Sequence, residues 1–193
     1  MLVAQAKKSS EIFTDSTIPD SMIDIIYNKL DASMKNIVLI GMPGAGKSSV
    51  ANALSEITGR KSIDSDNEIY IRSGYTPKQL ILDKGEPAFR EIENEVIKDL
   101  GKQSGLIIAT GGGVVTVEDN YNALHQNGNI VWLVRDIDKL DDTDRPLSQQ
   151  HGADFLFAQR EPLYRRFADH IVKNEEDVQT VAQMIVSMIE SSR

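Results

Sequence analysis

Residues 36–59, NIVLIGMPGAGKSSVANALSEITG, are the strongest indication of the fold class of this chain. A Val/Ile-rich run is followed by a glycine-rich segment and then by a stretch with helical spacing. The glycine-rich segment fits the pattern G-x-x-x-x-G-K-S/T, whose glycines let backbone N–H groups turn inward around phosphate oxygens. Lys47 is placed to reach the β and γ phosphates, and the Ser48 hydroxyl to ligate Mg²⁺. The residues predicted to bind a nucleoside triphosphate are Gly44, Ala45, Gly46, Lys47, Ser48 and Ser49.

Similar apolar runs recur along the rest of the chain and alternate with helical stretches. They lie at 61–64, 106–111, 129–134 and 170–173. The runs are rich in Val and Ile without strict alternation, as expected of strands that are covered on both faces. Together with the first run they predict an α/β fold, a five-stranded parallel sheet with helices on both faces.

Residues 1–35 differ from the rest because they contain two helical stretches, about 1–13 and 20–31, and no strand. We expect them to form a helical N-terminal extension, and residues 36–193 to form the P-loop domain. A second irregular stretch, at 135–154, is rich in Asp and poor in apolar residues. A loop of that length in a compact domain is usually functional or disordered, so we expect a long mobile loop there.

The composition excludes several classes of partner and site. A formal net charge of −8 argues against a nucleic-acid or anionic-membrane surface, which needs clustered Lys and Arg. The absence of cysteine excludes disulfides, thiol nucleophiles and Cys-ligated zinc. His125, His151 and His170 are too far apart in the sequence to suggest a metal cluster, which leaves oxygen-ligated Mg²⁺. No apolar run approaches the roughly 20 residues of a membrane span, so we expect a cytoplasmic protein. We also expect a monomer.

Asp64 and Asp66 form the second candidate site. If both lie on an extended segment, they point to the same side, at the carboxyl end of a strand beside the P-loop strand. One carboxylate could then hold Mg²⁺ while the other accepts a hydroxyl proton. The alternative is that Asp66 only caps the helix that follows.

The nucleotide motif does not identify the acceptor of the phosphoryl group. A GTPase is disfavoured because no NKxD guanine-reading motif occurs, the single NK pair lying before the P-loop at Asn28 and Lys29. The short chain, with few residues between strands, favours a small-molecule kinase.

Four more motifs follow in order: PAFREIE (87–93), ATGGGVV (109–115), DRPLS (144–148) and AQREPLYRR (158–166). In the first, Arg90 and Glu93 lie one turn apart, on the helix face expected to be opposite the apolar stripe of Phe89, Ile92 and Val96. With the P-loop and the two aspartates, this set resembles shikimate kinase, a P-loop protein related to the nucleoside monophosphate kinases. The resemblance runs from about Asn36 to the C-terminus.

The resemblance implies ATP-dependent phosphorylation of the 3-hydroxyl of shikimate to shikimate 3-phosphate, a step of chorismate and aromatic amino-acid biosynthesis. It implies that Asp66 is the base, that Lys47 and Arg145 stabilise the transferring phosphoryl group, and that Ser48 and Asp64 hold Mg²⁺. The residues implied to bind shikimate are Asp66, Arg90, Glu93, Gly111, Gly112, Gly113 and Arg160. Arginine suits this task because its planar fork binds a carboxylate through two hydrogen bonds.

This chain departs from the family pattern in the lid, at about 135–154. The lid is shorter and more acidic than usual, and the arginine that commonly stacks on adenine has no counterpart. Asp138 and Asp141 occupy that region, and Arg135 is the candidate substitute. These departures favour one alternative function, a catalytically weakened nucleotide-binding module. A related sugar-acid kinase such as gluconate kinase is the other function that stays open.

The opening residues MLVAQA also resemble the C-terminal helix of shikimate dehydrogenase. That resemblance implies that the chain is the kinase end of a bifunctional polypeptide, with a covalently linked or associated dehydrogenase as partner. An ordinary amphipathic extension is the alternative.

Overall fold

The P-loop strand lies at the centre of a five-stranded sheet in the computed structural model, which describes residues 2–136, 138 and 152–191. The strands are β1 (Asn36–Ile40), β2 (Ser62–Asp64), β3 (Ile107–Ala109), β4 (Gly128–Val134) and β5 (His170–Lys173). Their order in the sheet is β2-β3-β1-β4-β5, and every pairing is parallel. The predicted fold class is confirmed.

Helices cover both faces of this sheet. They are α1 (Leu2–Thr14), α2 (Ser21–Met34), α3 (Lys47–Thr58), α4 (Ser65–Ser73), α5 (Pro77–Lys84), α6 (Glu86–Gly101), α7 (Glu118–His125), α8 (Ala153–Phe167) and α9 (Val178–Ser191). A 3₁₀ turn spans Val114–Thr116.

The side chains of β1 divide between two hydrophobic cores. Val38 and Ile40 pack into one core with residues of α4, α6 and α8, whereas Ile37 and Leu39 pack into the other with residues of α3 and α9. Successive side chains of a strand point to opposite faces, so a strand covered on both sides is apolar throughout. This double burial explains why the run before the P-loop lacks alternation.

The position of β2 corrects one expectation. β2 was expected beside β1, but β3 lies between them and pairs with both. The connection through α3 passes over the place of β3, so consecutive strands in the sequence are not neighbours here. The carboxyl ends of all three parallel strands still meet at one edge, which keeps Asp64 on the side of the P-loop.

The two aspartates do not share an extended segment, contrary to the sequence-based expectation. β2 ends at Asp64, and Asp66 lies in the first turn of α4. The helix cap is Asp64, whose Oδ1 accepts a hydrogen bond of 2.9 Å from the backbone N–H of Asp66. The capping role proposed for Asp66 therefore belongs to Asp64, which leaves the Asp66 carboxylate to face the cavity described below.

The N-terminal extension contains the two expected helices, α1 and α2, and no strand among residues 2–35. The end of α2 is attached to the domain by Arg60, which donates to the carbonyls of Ala32 at 2.7 Å and Lys35 at 2.8 Å. No residue of α1 is buried. The boundary between residues 1–35 and 36–193 stays a prediction.

Most of the predicted lid, including Arg145 and Asp141, lies outside the described residues. The described end of that stretch passes into α8, which begins at Ala153. Within residues 2–136, 138 and 152–191, no helix has the length and apolar character needed to cross a membrane.

Candidate active site

A cavity of about 860 Å³ lies at the carboxyl edge of the sheet, next to the P-loop. Nearly all of the described site residues predicted from the sequence line it. They are Gly44, Gly46, Lys47, Ser48, Ser49, Asp64, Asp66, Arg90, Glu93, Gly111, Gly112, Gly113 and Arg160. Ala45 is fully buried behind this surface. Residues more than a hundred positions apart in the sequence are thus brought to one cavity.

The P-loop end of the cavity is held together by hydrogen bonds to backbone carbonyls. Lys47 is buried, and its Nζ donates to the carbonyls of Gly41 and Met42 at 2.9 Å each. Asn174, just after β5, donates from Nδ2 to the carbonyl of Ala45 at 2.7 Å. These bonds fix the path of the loop, so that its N–H groups at the start of α3 remain available to a phosphate.

Position 46 requires glycine because of both its backbone conformation and its surroundings. Its φ of +85° lies in the left-handed region, and a Cβ at this position would lie 2.5 Å from Nδ2 of Asn174. Asn174 had no predicted role. A polar residue directly after an apolar strand of a parallel sheet could have drawn attention to it, because ligands bind at that edge.

The two predicted metal ligands are in direct contact. The Ser48 hydroxyl donates to Oδ2 of Asp64 at 2.6 Å. Among the described residues, no group of three or more His, Cys, Asp or Glu side chains could hold a metal ion. Mg²⁺ commonly binds one or two protein oxygens together with phosphate oxygens and water, so a hydroxyl and a carboxylate in contact fit this metal.

The other end of the cavity contains a buried ion pair. Arg90 donates to Oε2 of Glu93 at 2.7 Å and to Oε1 of Glu86 at 2.8 Å. Glu93 is completely buried, so it does not lie on the face opposite the apolar stripe, as was expected. Positions 89 and 93 are one turn apart on α6 and so share a helix face. The buried glutamate holds the arginine in place at the wall of the cavity.

Burial raises the pKa of the Glu93 carboxyl above its ordinary value of 4.5. The positive charge of Arg90 opposes this rise, the carboxylate of Asp66 adds to it, and Arg160 opposes it more weakly. Oε1 of Glu93 is buried and has no hydrogen-bond partner among the described residues. A carboxylate in these surroundings costs more to ionise than one in water, even beside a guanidinium.

The three consecutive glycines after β3 allow the cavity walls to approach each other. A Cβ on Gly111 would lie 2.8 Å from Oδ1 of Asp66, and one on Gly113 would lie 2.1 Å from Nη2 of Arg90. A Cβ on Gly112 would lie 2.5 Å from the ring of Pro43 in the P-loop. Any larger residue would displace a charged group or the P-loop itself.

Two side chains of α8 donate hydrogen bonds to the carbonyl of Gly112. The donors are the Tyr164 hydroxyl and, at a longer distance of 3.4 Å, Nη1 of Arg160. Tyr164 is fully buried, its ring stacks on Trp132, and burial raises the pKa of its hydroxyl above the ordinary value. Tyr164 lies within the motif at 158–166 but had no predicted role. Its spacing of four residues from Arg160, which places both on one helix face, could have indicated that they act on the same loop.

The start of α5 also lines the cavity and had no predicted role. Thr76 caps this helix, with its hydroxyl accepting from the Gln79 N–H and the Gln79 side chain accepting from the Thr76 N–H. Pro77 occupies the first helical position. The sequence TPKQ carries the ordinary signal for such a helix start, a capping box with proline at the first position.

Comparison with known proteins finds relatives of the part of the chain that contains this cavity. A family model described as shikimate kinase matches residues 43–190. The shikimate kinase of Acinetobacter baylyi is 38% identical over 170 residues, covering 83% of this chain and 94% of that protein. The shikimate kinase of Nitrosomonas europaea is 35% identical over 168 residues, covering 81% and 79%.

Two solved structures are also similar. Shikimate kinase from Acinetobacter baumannii in complex with shikimate matches with a TM-score of 0.79 and 32% identity, over 86% of this chain and 98% of that one. Shikimate kinase from Aquifex aeolicus matches with a TM-score of 0.71 and 31% identity, over 81% and 97%. The family match begins at Pro43, so the helical extension lies outside it.

Proposed function

Because the chain belongs to the shikimate kinase family, we propose that it transfers the γ-phosphoryl group of ATP to the 3-hydroxyl of shikimate, forming shikimate 3-phosphate for chorismate and aromatic amino-acid biosynthesis. It is a phosphotransferase with an alcohol acceptor. The observation that carries the proposal is one cavity with a P-loop at one end and carboxylate and guanidinium groups at the other. A kinase needs this arrangement, because the donor and the acceptor must meet in line.

The roles proposed at the acceptor end follow from charge and position. Arg90 and Arg160 bind the shikimate carboxylate, and the Gly111 to Gly113 backbone lies beside the ring. Glu93 keeps Arg90 in position through the 2.7 Å hydrogen bond. Asp66 accepts the hydroxyl proton while the substrate oxygen attacks the γ-phosphorus and the bond to the bridging oxygen of ADP breaks.

The roles proposed at the donor end rest on the P-loop. Its backbone N–H groups and Lys47 bind the phosphates of ATP. Ser48 and Asp64 hold Mg²⁺, which supplies charge neutralisation at the phosphates when bound. Arg145 is proposed to approach the transferring phosphoryl group. It lies outside the described residues, so this role rests on its place in the DRPLS motif.

A coupled assay of ADP release tests the proposed function. With Mg·ATP we expect turnover with shikimate and only background release with gluconate or without an acceptor. Turnover with gluconate in place of shikimate would favour the sugar-acid kinase, and nucleotide binding without any turnover would favour a nucleotide-binding module. Omission of Mg²⁺ should abolish ADP release, which tests the proposed metal requirement in the same experiment.

We further infer, as a separate proposal, that the helical extension contacts another protein, for which a shikimate dehydrogenase is the candidate. The exposed apolar side chains of α1 and α2, among them Phe13, Tyr27 and Leu30, support a contact surface of this kind. Co-elution of the purified chain with a shikimate dehydrogenase on size exclusion tests it, with the chain alone expected at the volume of a monomer. A cytoplasmic location and an absence of nucleic-acid partners stay predictions from composition.

A further inference from the structure

Arg135 is the first residue after β4, and it lies beside the P-loop. β4 pairs with β1, so its carboxyl end meets the start of the loop that follows β1. Arg135 lines the same cavity as Lys47, Ser48 and Ser49. A methyl group on Gly46 would lie 3.7 Å from Nη1 of Arg135. The guanidinium therefore lies close to the turn at which α3 begins.

The contacts of Arg135 differ from those of the acceptor-side arginines. Arg90 is bound by two glutamates, and Arg160 donates to the carbonyl of Gly112. Within residues 2–136, 138 and 152–191, by contrast, the side chain of Arg135 makes neither a hydrogen bond nor an ion pair, and its Nε is buried without a partner. Buried donors on a charged group are normally satisfied, so the position favours a ligand that supplies acceptors.

The charge balance of the cavity indicates which acceptors these are. The described cavity lining contains three carboxylates, those of Asp64, Asp66 and Glu93, and five cationic side chains, those of Lys47, Lys78, Arg90, Arg135 and Arg160, although the chain as a whole has a formal charge of −8. This local excess of positive charge favours an anionic ligand. A guanidinium at the P-loop end attracts the negative charge of a nucleotide polyphosphate and matches phosphate geometry with two parallel donors.

We propose that Arg135 binds a phosphate group of the donor nucleotide that is retained in ADP. This inference rests on the proposed function, because it takes the P-loop cavity to hold ATP. The α and β phosphates are assigned because Arg135 lies beside Gly46, and the backbone of this loop type surrounds those two groups. Arg135 then supplies a donor-side cation in addition to Lys47.

Calorimetric titration of Arg135→Gln with ADP, and with inorganic tripolyphosphate as a probe without base or ribose, tests the inference. Both ligands should bind about 10-fold more weakly than to the unsubstituted protein, the size expected for one hydrogen bond to a charged group. Arg135→Lys should lose about 3-fold, since it keeps the charge and loses the fork. Arg72→Gln is the matched control, because Arg72 pairs with Asp99 away from the cavity and its loss changes the net charge equally.

Unchanged ADP affinity in Arg135→Gln, with a normal melting temperature, would overturn the inference. A loss for ADP without a loss for tripolyphosphate would also overturn it, because Arg135 would then contact the base or ribose. An equal loss of ADP affinity in Arg72→Gln would also contradict the inference, because the effect would then come from net charge alone. No acceptor is present in these titrations, so a failure of shikimate turnover in the unsubstituted protein would leave the result on Arg135 standing.

Discussion

The two ends of the cavity are held by different kinds of interaction. At the donor end the bonds run to backbone carbonyls, from Lys47 to Gly41 and Met42 and from Asn174 to Ala45. At the acceptor end the backbone carbonyl of Gly112 is also held, by Tyr164 and Arg160, but the arginine of the cavity wall is held by charged side chains. Arg90 donates to Glu93 and Glu86. A phosphate would therefore bind to a loop of fixed shape, whereas a carboxylate would bind to side chains whose positions depend on one another.

This difference decides how substitutions should act. At the donor end, a change that alters the path of the loop should matter even where it changes no charge. At the acceptor end, a change should matter when it leaves a charge without its partner, because the low dielectric of a buried site strengthens both the pair and the penalty for breaking it.

Asp66→Asn should have the largest effect on turnover. The substitution keeps the size of the side chain and removes the proton acceptor, so kcat with shikimate should fall about 100- to 10,000-fold, the usual range for loss of a general base. ADP affinity, measured by calorimetry, should stay within about 2-fold, because Asp66 is assigned to the acceptor.

Asp64→Asn is the matched variant, since asparagine caps a helix about as well as aspartate. It should raise the Mg²⁺ concentration needed for half-maximal activity, which Asp66→Asn should leave unchanged. If the two variants responded alike to Mg²⁺, the division of roles between the aspartates would be wrong.

Gly46→Ala tests whether loop shape controls the donor end. The new Cβ would lie 2.5 Å from Nδ2 of Asn174 and would displace the bond to Ala45. ADP affinity should fall at least about 10-fold, the equivalent of a lost hydrogen bond in a fixed site. Gly74→Ala is the control, because Gly74 has a similar φ of +74° and nothing within 4 Å of its Cβ position.

Both glycine variants should lose about 1 kcal/mol of stability from the left-handed backbone, and Gly46→Ala should lose more, because its Cβ also displaces the hydrogen bond from Asn174 to Ala45. The thermal shifts of the two proteins check this. An equal loss of ADP affinity in Gly74→Ala would show that general strain, and not the clash with Asn174, weakens the site.

The same contrast explains what the sequence could predict. The donor end is encoded by contiguous residues with a defined spacing, so Lys47 and Ser48 could be assigned from the pattern and the flanking strand and helix alone. The sheet could be predicted for a similar reason, since burial on both faces leaves a local signature in β1 and β4.

The acceptor end could be assigned only through the resemblance to a family. Its residues lie on α4, α6, α8 and the loop after β3, and no local pattern shows that Arg90 and Arg160 face one cavity. The strand order was missed at β2 because connectivity does not fix which strands are neighbours. Glu93 was placed on the wrong helix face, and Tyr164 was missed, because their partners are distant in sequence.

Arg160 is the cleaner test of carboxylate binding at the acceptor end. Arg90→Ala would leave Glu93 buried without its partner, so lost folding would obscure lost binding. Arg160→Ala should raise the KM for shikimate about 10- to 100-fold, and Arg160→Lys somewhat less, because lysine keeps the charge without the fork. The KM for ATP should change less than about 2-fold, as expected if donor and acceptor ends bind independently.

Arg165→Ala controls for this change, because Arg165 is exposed on the same helix and pairs with Glu161. It should leave both KM values as they are. A rise in the KM for ATP in Arg160→Ala would place that arginine on the donor side and remove the contrast between the two ends.

The smallest expected effect is a pH dependence that comes from Glu93. Its pKa is raised above 4.5, chiefly by burial, with Arg90 opposing. A group with a raised pKa in the folded state stabilises the fold fully below its ordinary pKa and loses that contribution as the pH rises through the folded value. Glutamine stays neutral throughout. The melting temperature of the unsubstituted protein minus that of Glu93→Gln should therefore fall as the pH rises above 4.5.

A change of about 1 kcal/mol in the free energy of unfolding corresponds to roughly 2–4 °C in the melting temperature of a domain of this size, so calorimetry can resolve it. The exposed carboxyls whose pKa is lowered, such as Asp99 and Asp177, are present in both proteins and cancel in the difference. If the difference rose with pH instead, attraction to Arg90 would outweigh burial, and Glu93 would be an ordinary ion-pair partner. A falling difference would mean that the buried carboxylate of Glu93 lowers the stability of the fold when it is ionised. The hydrogen bonds to backbone carbonyls at the donor end carry no such cost.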